Sequence, residues 1–172
     1  VRLWIYWPLR LLLLPLLTFG LRLVRIGSGD FPERGAVIVA SNHRGLLDPL
    51  VVGALSRRPM HFVAKAELFE NRLIAWLLSA VGAFPVRRDR ADRQMVETAL
   101  AILARGECLV IFPEGTRSRG SRLNKPKRGL GQLALSSGAA VVPVAISGTG
   151  RRRGRRRLRP PKVIVSAGRP QH

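Results

Sequence analysis

Two stretches of the 172-residue chain carry side chains whose types and spacing could do chemistry: SNHRGLLDPL at 41–50 and FPEGTRS at 112–118. In the first, His43 stands five positions before Asp48. A neutral imidazole takes a proton from an alcohol when a carboxylate holds its other ring nitrogen, because the carboxylate fixes the tautomer and stabilises the imidazolium that forms. Five residues is the wrong separation within one helix. It works if His43 lies in a loop and Asp48 opens the next helix, where the chain has turned back. Two plainer readings compete. Asp48 followed by Pro49 has the form of a helix N-cap with proline at the first helical position, which leaves His43 an ordinary turn residue. His43 could also be one ligand of a metal site. Capping and catalysis are compatible with each other.

In FPEGTRS, Gly115 permits a tight turn with backbone N–H groups beside the Thr116 and Ser118 hydroxyls and the Arg117 guanidinium. A turn nest plus a guanidinium fork suits a phosphate. A nucleotide P-loop is excluded, since GTRSRGS has Ser121 where lysine is required. GAFPVRR at 82–88 ends on Arg87 and Arg88, and HFVAK ends on Lys65. Such cations are often only solvated surface, but beside a phosphate loop they become candidate phosphate ligands. There is no H-E-x-x-H, no Cys/His cluster, and no ligand-like spacing at His61 or His172, so no metal site is expected. With no G-x-S-x-G elbow either, one-step transfer with His43 as base fits better than a covalent serine enzyme.

These residues need a frame, and the pattern from residue 36 onward supplies one. AVIVA, HFVAK, AFPVR, CLVIF, VVPVAI and KVIVS read as strands from their β-branched content and turn-rich flanks. Residues 49–57, 67–80, 91–105 and 129–137 have helical spacing. Leu68, Leu73, Ile74, Trp76 and Leu77 predict a largely buried second helix. Met95, Ala99, Leu100, Ile102 and Leu103 give the third an apolar stripe, with Asp92, Arg93 and Glu97 facing water. The expectation is an α/β fold with a mixed, mostly parallel sheet covered by helices, its site at the carboxyl ends of the strands.

Charge narrows the partners. Thirty Lys and Arg face ten Asp and Glu, for a net +20, and no acidic residue follows Glu114. Such a field draws polyanions: nucleic acid, an anionic bilayer or an acidic substrate. RNA-binding signatures and stacking aromatics are missing from the α/β part, so nucleic acid is not expected. The Arg-rich run GRRRGRRRLRPP at 150–161 reads as an exposed loop or hairpin. A single cysteine, Cys108 in CLVIF, fits a reducing compartment and a buried, inert thiol.

Residues 1–29 form the most apolar segment and read as a monotopic anchor, ahead of a catalytic domain at 30–172. Only eleven uncharged residues separate Arg10 from Arg22, and Pro15 interrupts them, whereas a simple span needs about 20 apolar residues. Trp4, Tyr6, Trp7 and Phe19 among leucines suit the headgroup region. Arg2, Arg10, Arg22 and Arg25 add about 1 kcal/mol each at an anionic surface. The expected location is the cytoplasmic face of the cell membrane.

NHRGLLD, GAFPVRR, FPEGTRS and VVPVAI stand in the order and approximate spacing of the four motif blocks of glycerolipid acyltransferases. Across residues 30–170 the chain resembles the bacterial 1-acyl-glycerol-3-phosphate (lysophosphatidic acid) acyltransferases. That resemblance implies that His43 deprotonates the acceptor hydroxyl and Asp48 orients it. It implies that Glu114, Gly115, Thr116 and Arg117, with Arg88, bind the glycerol phosphate, and it adds Lys65 of AKAELF to the same phosphate. Val142 and Pro143 of the fourth block would serve the acyl donor. The substrates implied are lysophosphatidic acid and either acyl-CoA or acyl-acyl-carrier protein, with no metal or redox cofactor. Two departures stand out: the chain stops shortly after its last strand, and the 151–159 run is more basic than the family requires. On this reading His43→Ala is folded, membrane-bound and inactive, and retained acyl transfer by that variant contradicts it. Asp48→Ser separates the two roles of the aspartate: if folding and transfer rate both stay near wild type, Asp48 is only a cap.

Overall fold

The computed structural model describes residues 1–27, 31–87, 93–118, 122–150 and 162–171. Helix α1 (Leu3–Gly20) leads into strand β1 (Val24–Ile26) and then β2 (Val37–Ser41), α2 (Asp48–Gly53) and β3 (Met60–Lys65). A 3-10 turn at Ala66–Phe69 precedes α3 (Arg72–Ala80), β4 (Ala83–Val86), α4 (Arg93–Ala104) and β5 (Cys108–Ile111). The chain closes with α5 (Gly129–Ser137), β6 (Ala140–Ser147) and β7 (Ile164–Ala167). The strands form one sheet in the order β1-β7-β6-β2-β5-β3-β4. Every pairing is parallel except β6 with β7, so the fold is the mixed, mostly parallel helix-covered sheet expected.

Parallel central strands are covered on both faces and therefore read as continuous apolar runs. Val37, Ile38 and Val39 of β2 and Leu109 and Val110 of β5 have no exposed surface. Each such side chain contributes about 1.5–3 kcal/mol of burial. Their alternation splits the core. Val37, Val39 and Val110 join Leu17 of α1 and Val51 and Val52 of α2 on one face, while Ile38 and Leu109 join Ala99, Ile102 and Leu103 of α4 and Leu133 of α5 on the other. The stripe read for α4 is the face it buries. Helix α5 stops at Gly138, whose positive φ of 63° lets its N–H close on Ala134 C=O.

Three features differ from expectation. Strand β1 lies inside the segment read as anchor, because VRI pairs in parallel with residues 164–166 at the sheet edge. Arg10 and Arg25, counted toward headgroups, also bond the protein itself: Arg10 donates to Gly53 C=O and Ser56 C=O, and Arg25, which stays exposed, to Ala54 C=O. Carbonyls at a helix C-terminus lack intrahelical donors and carry partial negative charge, so a guanidinium is a favourable partner for them. The third difference is α3. It is capped as its sequence predicts, with Asn71 Oδ1 accepting from Leu73 and Ile74 N–H. Yet Leu73 is 74% exposed, and Ile74, Trp76, Leu77 and the preceding Leu68 are all exposed too, with only Ala80 buried. Helix α3 packs on the outer strand β4 and touches α1, and no further helix or strand among the described residues covers its outer face. The apolar pattern of 67–80 therefore marks an apolar surface. The Arg-rich run at 151–159 lies outside the described residues.

Cys108 is buried in β5, and burial pushes its thiol pKa up to about 11. The native protein at pH 8 is therefore expected to resist iodoacetamide, with alkylation appearing only on unfolding, as mass spectrometry of a denaturant series would record.

Candidate active site

Because β2, β3, β4, β5 and β6 run parallel, their carboxyl ends share one edge of the sheet, and the chemistry-bearing segments converge there. Asn42 leaves β2 first. Its side chain donates through Nδ2 to Ile146 C=O (2.9 Å) and accepts Ile146 N–H at Oδ1 (2.6 Å). The amide thus stands in for one more backbone rung between β2 and β6, and fixes where the next residue, His43, begins.

His43 Nδ1–H donates to Asp48 Oδ2 at 2.8 Å. The same oxygen accepts the N–H of Gly45 at 2.7 Å and that of Arg44. Asp48 is fully buried. It is the first residue of α2, with Leu47 before it, and its side chain makes no capping bond. The expected N-cap is therefore absent: the carboxylate turns back into the loop instead of forward to the helix N–H groups. Burial pushes the Asp48 carboxyl up, but hydrogen bonds from His43, Gly45 and Arg44 outweigh it and hold the pKa below the ordinary carboxylate value.

The imidazole stacks on Phe112, with ring centroids 4.3 Å apart and planes at 22°. With Nδ1 engaged and the side chain 11% exposed, Nε2 is the nitrogen left for a substrate, and no described residue bonds it. Among the described residues, no group of three or more His, Cys, Asp or Glu is placed to hold a metal ion. His61 is remote, at the amino end of β3, where its Nε2 lies 2.8 Å from Glu107.

FPEGTRS reaches the same place from β5, with a division of labour that residue types alone do not reveal. Buried Glu114 accepts His43 N–H at Oε1 (3.0 Å) and Asn124 N–H at Oε2 (2.9 Å). Both oxygens are committed to backbone, so Glu114 braces the His43 loop against the 122–128 loop. Ser118 donates through both its N–H (2.8 Å) and its hydroxyl (3.0 Å) to His43 C=O. Its hydroxyl, expected to face a phosphate, is spent on the backbone. Thr116 and Arg117 stay exposed at the rim. Gly115 has a φ of 66°, and a Cβ there would lie 2.8 Å from Lys127 Cε and 3.1 Å from Nζ. The turn therefore favours glycine for its conformation, and the flexible end of Lys127 lies across it. Lys127 was not singled out by its sequence context, KPKRG.

The remaining candidates scatter. Lys65 ends β3, half-exposed, paired with Glu67 at 2.6 Å. Arg88 lies outside the described residues, one position after Arg87. Val142 is buried in the sheet beside Val39, and Pro143 of the same strand is exposed. Neither lines the apolar groove of about 320 Å³ that opens between α1, α2 and β3, where Leu13, Leu46, Leu50, Phe62 and Leu78 form part of the wall.

Residues 23–147 match the family model described as Acyltransferase, and the chain belongs to that family. More particularly, it is 31% identical over 144 residues to a 1-acyl-sn-glycerol-3-phosphate acyltransferase of Bacillus subtilis, covering 83% of this chain and 70% of that one. It is 40% identical over 121 residues to a lyso-ornithine lipid O-acyltransferase of Pseudomonas aeruginosa, covering 70% and 46%. The crystal structure of the 1-acyl-sn-glycerophosphate acyltransferase of Thermotoga maritima superposes with a TM-score of 0.73 at 27% identity, covering 94% of this chain and 70% of that one. Against the curated relatives the chain spans from about a third to seven-tenths of their length.

The Glu114 brace carries a measurable cost. Glu114→Ala leaves the buried His43 N–H, and the partly buried Asn124 N–H, without their acceptors, so a loss of roughly 1–3 kcal/mol in denaturant unfolding is expected. An unchanged midpoint contradicts the bracing role.

Proposed function

We propose that this chain transfers a fatty acyl group from a thioester to the sn-2 hydroxyl of 1-acyl-glycerol-3-phosphate, forming phosphatidic acid. The observation that carries this reading is the His43–Asp48 bond, which leaves Nε2 bare at a basic sheet edge in a member of the acyltransferase family. Nε2 takes the hydroxyl proton as the oxygen attacks the thioester carbonyl carbon. The tetrahedral intermediate collapses, the C–S bond breaks, and the imidazolium returns its proton to the departing thiolate. General-base catalysis of this kind contributes roughly 10²–10⁴-fold, and alignment of the two substrates adds to it.

Arg117 and the Gly115–Thr116 turn would hold the acceptor phosphate, with Lys65 at the end of β3 and Arg88 as further cations for it. Glu114 belongs to that site as its brace, since a carboxylate repels a phosphate. The apolar groove beside Leu46 and Leu50 suits an acyl chain. Helix α1 is long and apolar enough to cross a membrane by length and composition. Its outer face exposes Trp4, Trp7, Leu11, Leu12, Leu16 and Phe19, and the exposed apolar face of α3 is near it. We read this surface as the one laid on an anionic bilayer, with the site on its cytoplasmic side and acyl-CoA or acyl-acyl-carrier protein as donor.

The 40% identity to a lyso-ornithine lipid O-acyltransferase favours a second reading, an acceptor without a phosphate. Purified protein in anionic vesicles, assayed with both donors and a panel of lysolipids, separates the two. Arg117→Ala is expected to raise the KM for lysophosphatidic acid about tenfold or more while sparing a lyso-ornithine acceptor. Indifference of lysophosphatidic acid acylation to that substitution contradicts the phosphate reading.

A further inference from the structure

The second oxygen of Asp48 has no place in the account so far. Oδ2 gathers three donors, whereas Oδ1, equally buried, has no hydrogen-bond partner. Among the described residues one other buried side-chain oxygen is in the same position, the Thr149 hydroxyl. The pair is chemically matched: a carboxylate oxygen can only accept, and a threonine hydroxyl carries a donor proton that rotates to suit. They are also neighbours. Thr149 follows β6, whose carboxyl end shares the edge of β2, and Gly45 is packed against it so closely that a Cβ at position 45 would lie 2.3 Å from Thr149 C=O and 3.0 Å from its Cβ. Gly45 is itself one of the three donors to Asp48.

We infer that Thr149 is a positioning residue whose hydroxyl donates to Asp48 Oδ1, so that the carboxylate is held from both sides, by the 43–45 turn at Oδ2 and by the end of β6 at Oδ1. A carboxylate anchored at one oxygen can swing about its Cβ–Cγ bond and carry the imidazole with it. Anchored at both, it holds the ring in one orientation. Together with the Asn42 amide bonded to Ile146, this assigns β6 a task on the acceptor side of the reaction, through residues flanking the buried Val142 rather than through Val142 itself.

This inference rests on the proposed acyl transfer for its kinetic consequence and on the geometry alone for its effect on acid stability, so both are measured. The full chain is compared with Thr149→Val, which keeps the shape and removes the hydroxyl, and with Thr149→Ser, which keeps the hydroxyl. Acyl transfer from acyl-CoA to lysophosphatidic acid and to lyso-ornithine lipid in anionic vesicles is followed from pH 5.5 to 9, together with the acid-unfolding midpoint. With valine, kcat with the preferred acceptor is expected to fall about tenfold while both KM values stay within twofold. Serine restores kcat to within about threefold of wild type. The sign for stability follows from a carboxyl held below its unfolded pKa: its contribution is present above the unfolded value and is lost as pH falls through the folded one. Removing a donor raises the folded value, so acid unfolding begins at higher pH with valine and stays at the wild-type pH with serine.

Four results would overturn the assignment: valine equal to wild type, serine as impaired as valine, a rise in KM at constant kcat, or an unmoved acid midpoint. A wild-type chain inactive on every acceptor refutes the acyl-transfer reading, and the acid midpoints then decide the role of Thr149. If the valine variant does not fold, Thr149→Ala is measured by the same criteria.

Discussion

A single carboxylate oxygen, Asp48 Oδ2, organises the site. Burying a carboxylate is costly, and the cost is tolerable here because three N–H donors from three consecutive residues, 43 to 45, close around that oxygen. Those bonds fold the turn between β2 and α2, and the turn sets the imidazole. The aspartate therefore does not cap the helix it opens. It converts a loop that would otherwise have many conformations into one that offers a particular ring nitrogen.

The turn is held from outside by its neighbours in the sheet. From β5, Glu114 takes the His43 N–H and Ser118 closes on the His43 C=O, so both backbone groups of the catalytic candidate are satisfied by FPEGTRS. From β6, Ile146 pairs with the Asn42 amide. Each contact comes from a different strand of a parallel sheet, which is why all of them can reach one edge. With Glu114 committed to backbone and Asp48 buried against the 43–45 turn, the exposed rim of this loop is left to Thr116, Arg117 and Lys127, a surface suited to an anionic headgroup.

Much of this was legible in the sequence. Continuous β-branched runs identified β2 through β7 to within a residue or two, and the 3.6-residue stripe of 91–105 identified the buried face of α4, because both patterns follow directly from burial on a regular element. The His43–Asp48 pairing was one of three readings the residues left open, the one that requires His43 in a loop and Asp48 at the start of the next helix, and that is where both lie. What sequence could not provide was the direction of side chains. Asp48-Pro49 looks the same whether the carboxylate turns forward to cap or back to the loop. Glu114 and Ser118 sit in a phosphate-like motif and spend their oxygens on backbone. Asn42, Lys127 and Thr149 gain their significance only when β6 and the 122–128 loop are brought beside β2 and β5. The leucines of α3 misled for the same reason: periodicity shows that a face is apolar, and only the layer above it decides whether that face is covered.

The outward apolar faces of α1 and α3 give the site a setting, a hydrophobic flank beside a basic rim, and within that setting the chemistry reduces to the protonation of one ring. The most direct test of the account is nitrogen-15 NMR of the histidine side chains in the lipid-bound protein, with His43 assigned through His43→Gln. Asp48 as placed here predicts that the neutral ring is held in a single tautomer, with the proton on Nδ1 and Nε2 bare. A proton on Nε2, or a ring that averages between tautomers, would contradict it.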